Sequence, residues 1–112
     1  MKVVEKKSVF GDGSQMVKLE YFSESRIIRL IRKEVIETEE KDILLIFMEE
    51  YGIDKSSNNL IKVNDIKIWG GCWIWDKLEE GKIYEIKWNG KKKDKKLKRM
   101  INSFDLSEIV VD

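Results

Sequence analysis

The chain has 112 residues, with 22 Lys+Arg against 21 Asp+Glu and a net charge of +1. That length suits one modest core, and 42% apolar content excludes an acidic or basic disordered chain. The absence of histidine excludes His-based triads and His metal sites, and the single cysteine excludes internal disulfides and Cys-cluster zinc sites.

Proline and alanine are also missing, and the dominance of Lys, Ile and Glu fits a low-GC genome or a heat-adapted source. The longest apolar run, Ile43 to Met48, is far short of the roughly 18 residues of a membrane span. Residues 1–7 lack the apolar core of a signal peptide. With a lone cysteine, these features predict a cytoplasmic protein in a reducing compartment.

The segments 2–10 and 15–22 flank Gly11-Asp12-Gly13-Ser14. These turn formers predict an N-terminal hairpin, or two loose strands, within an extension over 1–22. The remainder, 23–112, is expected to complete a single domain of 1–112. Ser23 to Glu37 is two-sided: Ile27, Ile28, Ile31 and Val35 fit a helical face, while the alternation over 29–36 fits a strand. Lys41 to Tyr51 is equally open. Thr38 with Glu39 and Glu40 resembles a helix start, and Gly52-Ile53 a helix end. The uniformly apolar Ile43–Met48 fits a buried central strand at least as well. Asp54 to Asn59 is expected to be a polar loop.

From Leu60 onward the pattern is β. Residues 61–63 and 66–68 alternate around Asn64-Asp65, as a hairpin or one bulged strand. Residues 83–88 alternate cleanly, Asn89-Gly90 is a hairpin-turn dipeptide, and Leu106 to Val111 supplies a last strand. Charge is segregated along this chain. Residues 34–50 carry seven acids against Lys41 alone, and residues 91–99 carry seven cations against Asp94 alone. The basic segment is the part able to meet a polyanion, and the acidic one offers a docking face for a basic protein partner.

Ile66-Lys67-Ile68-Trp69-Gly70-Gly71, followed by Trp75-Asp76-Lys77-Leu78-Glu79-Glu80-Gly81-Lys82-Ile83-Tyr84-Glu85-Ile86, resembles the centre of OB-fold single-stranded-DNA-binding proteins of the archaeal and replication-protein-A type. The likeness covers mainly residues 60–112. It implies a mainly β, small five-stranded OB-type barrel with an N-terminal extension and one or two short helices. In such a barrel Leu78 would plug the bottom and Gly81 would turn the chain into the fourth strand. Residues 26–37 and 41–51 would be the first two strands. The residues themselves keep open an α+β alternative, with helices at 24–36 and 39–51 packed on an antiparallel sheet. Gly52 to Asn59 is longer than the turn expected in the family, and residues 1–22 have no counterpart there.

The resemblance also implies non-enzymatic binding of single-stranded nucleic acid, DNA rather than RNA, with no cofactor, metal or membrane. Trp69 matches the Trp of the family's apolar-Trp-Gly step and Trp88 an aromatic near the end of the fourth strand. Both would stack bases, with Tyr84 as a third candidate. Trp73 and Trp75 are expected in the core or as barrel plugs. Lys91, Lys92, Lys93, Lys95, Lys96, Lys98 and Arg99 would meet phosphates, joined by Arg29 and Arg32 on the first strand. The rival function is a protein–protein module: an OB-type complex subunit, or a small viral or plasmid inhibitor of a host factor. Catalytic and metal chemistry has weak support. The acids lack EF-hand spacing, Gly11-Asp12-Gly13 lacks the rest of a phosphate loop, and Cys72 has no histidine to activate it.

Overall fold

A computed structural model describes residues 2–4 and 15–111. The protein is mainly β. Its strands are β1 (Val3–Val4), β2 (Gln15–Val17), β3 (Arg26–Glu37), β4 (Asp42–Asp54), β5 (Asn59–Trp69), β6 (Ile83–Asp94) and β7 (Arg99–Ile109). A 3₁₀ turn spans Leu19–Ser23, and the short helix α1 spans Ile74–Lys77. One seven-stranded sheet has the order β1-β5-β4-β3-β6-β7, with β2 also on the β5 edge. All ladders among β3 to β7 are antiparallel. Among the described residues no β5–β7 ladder closes this sheet into a barrel.

Residues 24–36 and 39–51 are not helices. β3 and β4 pair from Ile27↔Tyr51 to Glu37↔Asp42. The β-branched Ile27, Ile28, Ile31, Val35 and Ile36 favour this pleated arrangement. The uniformly apolar run in β4 fits a central strand flanked by β3 and β5. Ile46 and Met48 enter the core, while Leu45 and Phe47 lie on the opposite face between β3 and β5. Thr38 caps a hairpin turn instead of a helix. Its Oγ1 accepts the Lys41 N–H at 3.1 Å, and its own N–H reaches the Lys41 carbonyl at 3.2 Å. Gly52 lies within β4, and the turn expected to be long is only residues 55–58. Asp54 holds that turn by accepting from the Ser56 N–H, Ser56 Oγ and Ser57 Oγ at 2.8–3.1 Å, and Asn58 takes φ 56°.

Three bulges bend the sheet. Ile31 is extra in β3 and Val63 in β5, so the Asn64-Asp65 step is a bulged strand, not a hairpin. Asn89-Gly90 is a bulge as well, with Gly90 at φ 82°. β6 therefore runs on to Asp94, and the turn of the last hairpin is residues 95–98. β7 begins at Arg99, well before Leu106. The basic run is thus a two-stranded ribbon, not a loose loop.

The main core joins Ile28, Leu30, Ile46, Met48, Ile66 and Ile86 of the sheet to Phe22, Ile74, Trp75 and Leu78. Leu78 is buried in this core, and Gly81 takes φ 82° while donating its N–H to the Leu30 carbonyl at 2.7 Å. A second cluster centres on Tyr51, Leu60 and Ile83, with Val3, Ile109 and Val111 against it. β1 and β2 both run parallel to β5, so they share a direction and do not form a hairpin with each other. The predicted turn at residues 11–14 lies outside the described residues.

Candidate functional site

Cross-strand register places side chains of β3, β4 and β5 in rows. The row Leu30–Met48–Ile66 faces the core. On the opposite face lie the rows Glu34–Leu45–Trp69, Arg32–Phe47–Lys67 and Arg29–Glu49–Asp65. Trp69 is 50% exposed at the end of β5. The Arg32 guanidinium lies 3.9 Å from the centroid of Phe47, and its Nε meets Glu34 Oε1 at 2.7 Å.

A groove of about 790 Å³ runs from Trp69 between the β3–β4 tip, at Lys41 and Asp42, and the ribbon, at Arg99. Trp73 forms part of its wall, and two glycines place it there. The Gly70 N–H donates to the Leu44 carbonyl at 2.7 Å, and a Cβ on Gly70 would come within 2.6 Å of the Leu44 side chain. Gly71 adopts φ 128°. The chain then swings Trp73 against Phe104, edge to face at 5.8 Å, where its indole N–H donates to the Asn102 carbonyl at 2.7 Å. Lys77 Nζ lies 5.1 Å from its centroid, and the ring stays 40% exposed.

The structure brings Trp69 and Arg99 into this one groove and separates them from several other expected residues. Trp88 is half-buried against the main core, with its indole N–H donating to Asn102 Oδ1 at 3.1 Å. Tyr84 is only 6% exposed and its hydroxyl accepts the Glu79 N–H at 2.9 Å, so its ring presents no stacking face. The placing of the connecting tryptophans divides: Trp75 is buried at 1% exposure, but Trp73 is a groove residue and not a plug. Cys72 lies in the groove wall, where its Sγ accepts from Asn102 Nδ2 at 3.1 Å and burial raises its pKa, keeping the thiol protonated.

Lys91, Lys92, Lys93, Lys95, Lys96, Lys98 and Arg99 are all exposed along the ribbon. Arg29 is otherwise engaged: its Nε donates to Glu49 Oε1 at 3.0 Å, which removes it from the expected phosphate contacts. Arg32 stays on the open face, over Phe47. The acidic segment is also divided. Glu49 meets Arg29, Lys62 and the Tyr51 hydroxyl, while Glu50, 8% exposed, takes Arg26 Nη1 at 3.1 Å and the Tyr21 hydroxyl. Exposed acid is left at Glu37, Glu39, Glu40 and Asp42 on the β3–β4 tip.

Lys41 and Trp73 are groove residues that sequence reasoning missed. Nothing in the sequence distinguishes Trp73 from Trp75, because the Gly70-Gly71 bend decides which of them turns outward. Among the described residues no cluster of His, Cys, Asp or Glu is arranged to hold a metal, and no helix is long and apolar enough to cross a membrane. No family model, curated protein or solved structure matches the chain.

Proposed function

We propose that this protein binds single-stranded nucleic acid, without catalysis, in the groove between the β3–β4 tip and the β6–β7 ribbon. The observation that carries this is the meeting of Trp69 and Trp73, both large and half-exposed, with Arg99 of the basic ribbon along one open groove. Exposed indole faces hold unpaired bases by stacking, at about 1–3 kcal/mol per base and without sequence selectivity. Arg99 supplies a cation in the groove for the phosphates, with Lys91 close enough to act on Cys72 of its wall. A fully paired duplex hides its base faces and offers these rings nothing to stack on, which favours unpaired strands.

The sequence order of the sheet supports a variant OB-type barrel. β5-β4-β3-β6-β7 follows the connectivity of such a barrel, with α1 between its third and fourth strands. In this reading β1 and β2 sit on the β5 edge where a five-stranded barrel would receive its last strand. The family resemblance favours DNA over RNA.

Titrating the protein with unlabelled oligo-dT and oligo-U at low salt tests this. Tryptophan emission should be quenched, and affinity should fall with salt at a log–log slope of about −0.7 per phosphate neutralised. K91E/K92E/K93E should abolish the quenching. No quenching by either oligomer overturns the proposal. A second reading, docking of a basic protein, is favoured by Glu37, Glu39, Glu40 and Asp42, which are exposed together on one tip. A partner using that tip would still bind the K91E/K92E/K93E variant.

A further inference from the structure

We propose that the turn of the β6–β7 ribbon is an apolar wedge for the end of a duplex, so that the preferred ligand is a junction where one strand leaves a double helix. This deepens the assignment of the groove to single strands, and rests on it. Leu97 and Met100 are 54% and 56% exposed, surrounded by the exposed Lys95, Lys96, Lys98 and Arg99. Apolar and cationic side chains therefore share the extremity of the ribbon.

The turn is shaped, not loose. Asp94 Oδ1 accepts the Lys96 N–H at 2.7 Å and the Leu97 N–H at 3.1 Å, and Lys98 holds φ 52°. Leu97 is therefore presented at a set position. Met100 alternates with Asn102 and Phe104 on one side of β7, the side that secures Trp73. Arg99 lines the groove itself. Arg99 thus joins the groove of Trp69 and Trp73 to the turn, two residues from Leu97.

The ligand complementary to an apolar point ringed by cations is a flat base pair flanked by two phosphate backbones. Apolar side chains of this kind stack on or part base steps while Lys and Arg hold the phosphates. With Leu97 on the terminal pair, the departing strand is led past Arg99 to the tryptophans. An anionic lipid surface would also attract such a tip, but it would not use the groove of Trp69 and Trp73 that Arg99 lines.

The test compares three fluorescein-labelled DNAs: an oligo-dT tail, a blunt hairpin, and the same hairpin carrying that tail. The tailed hairpin should bind about ten-fold or more tighter than either part, the equivalent of burying one Leu side chain. L97S/M100S, altered at exposed positions, should lose that excess while keeping its affinity for oligo-dT. With 2-aminopurine in the terminal pair, fluorescence should rise on binding the native protein and not the variant. Equal affinity for the tail and the tailed hairpin overturns the junction alone, as does an excess that survives in L97S/M100S. Phosphatidylserine vesicle binding, or self-association in sedimentation, that L97S/M100S abolishes without affecting the hairpin also overturns it. Absence of any oligo-dT binding overturns the groove assignment and the junction together.

Discussion

Trp73 is tied to Asn102 by a 2.7 Å hydrogen bond from its indole N–H to the backbone carbonyl, while the Asn102 side chain serves Trp88 and Cys72. One residue of β7 therefore positions a groove ring through its main chain and a half-buried ring through its amide. Asn102→Ala should spare the first tie and break the second. Loss of a partner for the half-buried Trp88 N–H should cost about 1–3 kcal/mol in urea unfolding. Oligonucleotide quenching through Trp69 and Trp73 should persist. Unchanged stability would show that the amide contributes nothing.

Trp69 and Trp75 should respond to truncation in opposite ways. Trp75 is 1% exposed inside the main core, so Trp75→Ala should cost about 3–5 kcal/mol of stability. Trp69 is half-exposed, so Trp69→Ala should leave the urea midpoint nearly unchanged and weaken oligo-dT binding by about 1–3 kcal/mol, the loss of one stacked base. Tyr84→Phe should affect stability alone, because its buried hydroxyl serves Glu79.

Gly70 permits the close approach that opens the groove. In Gly70→Ala the new Cβ would meet Leu44 side-chain atoms at 2.6–2.8 Å, including Leu44 Cβ, which has little freedom to retreat. Overpacking of this kind should cost about 1–3 kcal/mol, measured by urea unfolding. The displaced Gly70-Gly71 bend should also blue- or red-shift the emission of Trp73.

Glu49 gives stability an acid limb. Burial alone would raise its pKa, but hydrogen bonds from Lys62, Tyr51 and Arg29 outweigh that effect and hold it below its ordinary 4.5. The folded value lies below the unfolded one. Its contribution is therefore fully present above pH 4.5 and is lost as pH falls through the folded value. Glu49→Gln should lower Tm at neutral pH and flatten its fall in acid. Parallel Tm–pH curves for the two proteins would contradict this.

The β3–β4 tip carries a like-charge cross-strand pair, Glu37 opposite Asp42, both exposed. Such pairs are destabilising, and Asp42→Asn should raise stability by about 0.2–1 kcal/mol at low salt, with the gain shrinking as salt is added. Because Asp42 also lines the groove, oligo-dT affinity should rise in the same variant.

Much of the β architecture was legible in local pattern. The alternation over 83–88 and the turn at Gly81 appear where expected, since each depends on short-range spacing or a backbone angle only glycine adopts readily. Residues 24–51 were ambiguous for a physical reason: a segment apolar on both sides satisfies a helix or a central strand equally until its neighbours are known. Cross-strand register with β5 and β6 removes that ambiguity. It also breaks up the acidic segment, by setting Glu49 against Arg29 and Lys62 and Glu50 against Arg26.

By itself, then, the sequence determined a β pattern from Leu60 onward, a chain without histidine chemistry, a basic segment able to meet a polyanion, and a crowd of four tryptophans. Only the tertiary structure decided which of those rings face outward. Exposure belongs to the packing around a ring and not to the residue type. The Gly70-Gly71 bend turns Trp73 into the groove beside Trp69, while the core takes Trp75 and holds Trp88 half-buried. Likewise, the β6–β7 ladder continues past the Asn89-Gly90 bulge, which makes the basic segment a two-stranded ribbon and brings Arg99 to the groove.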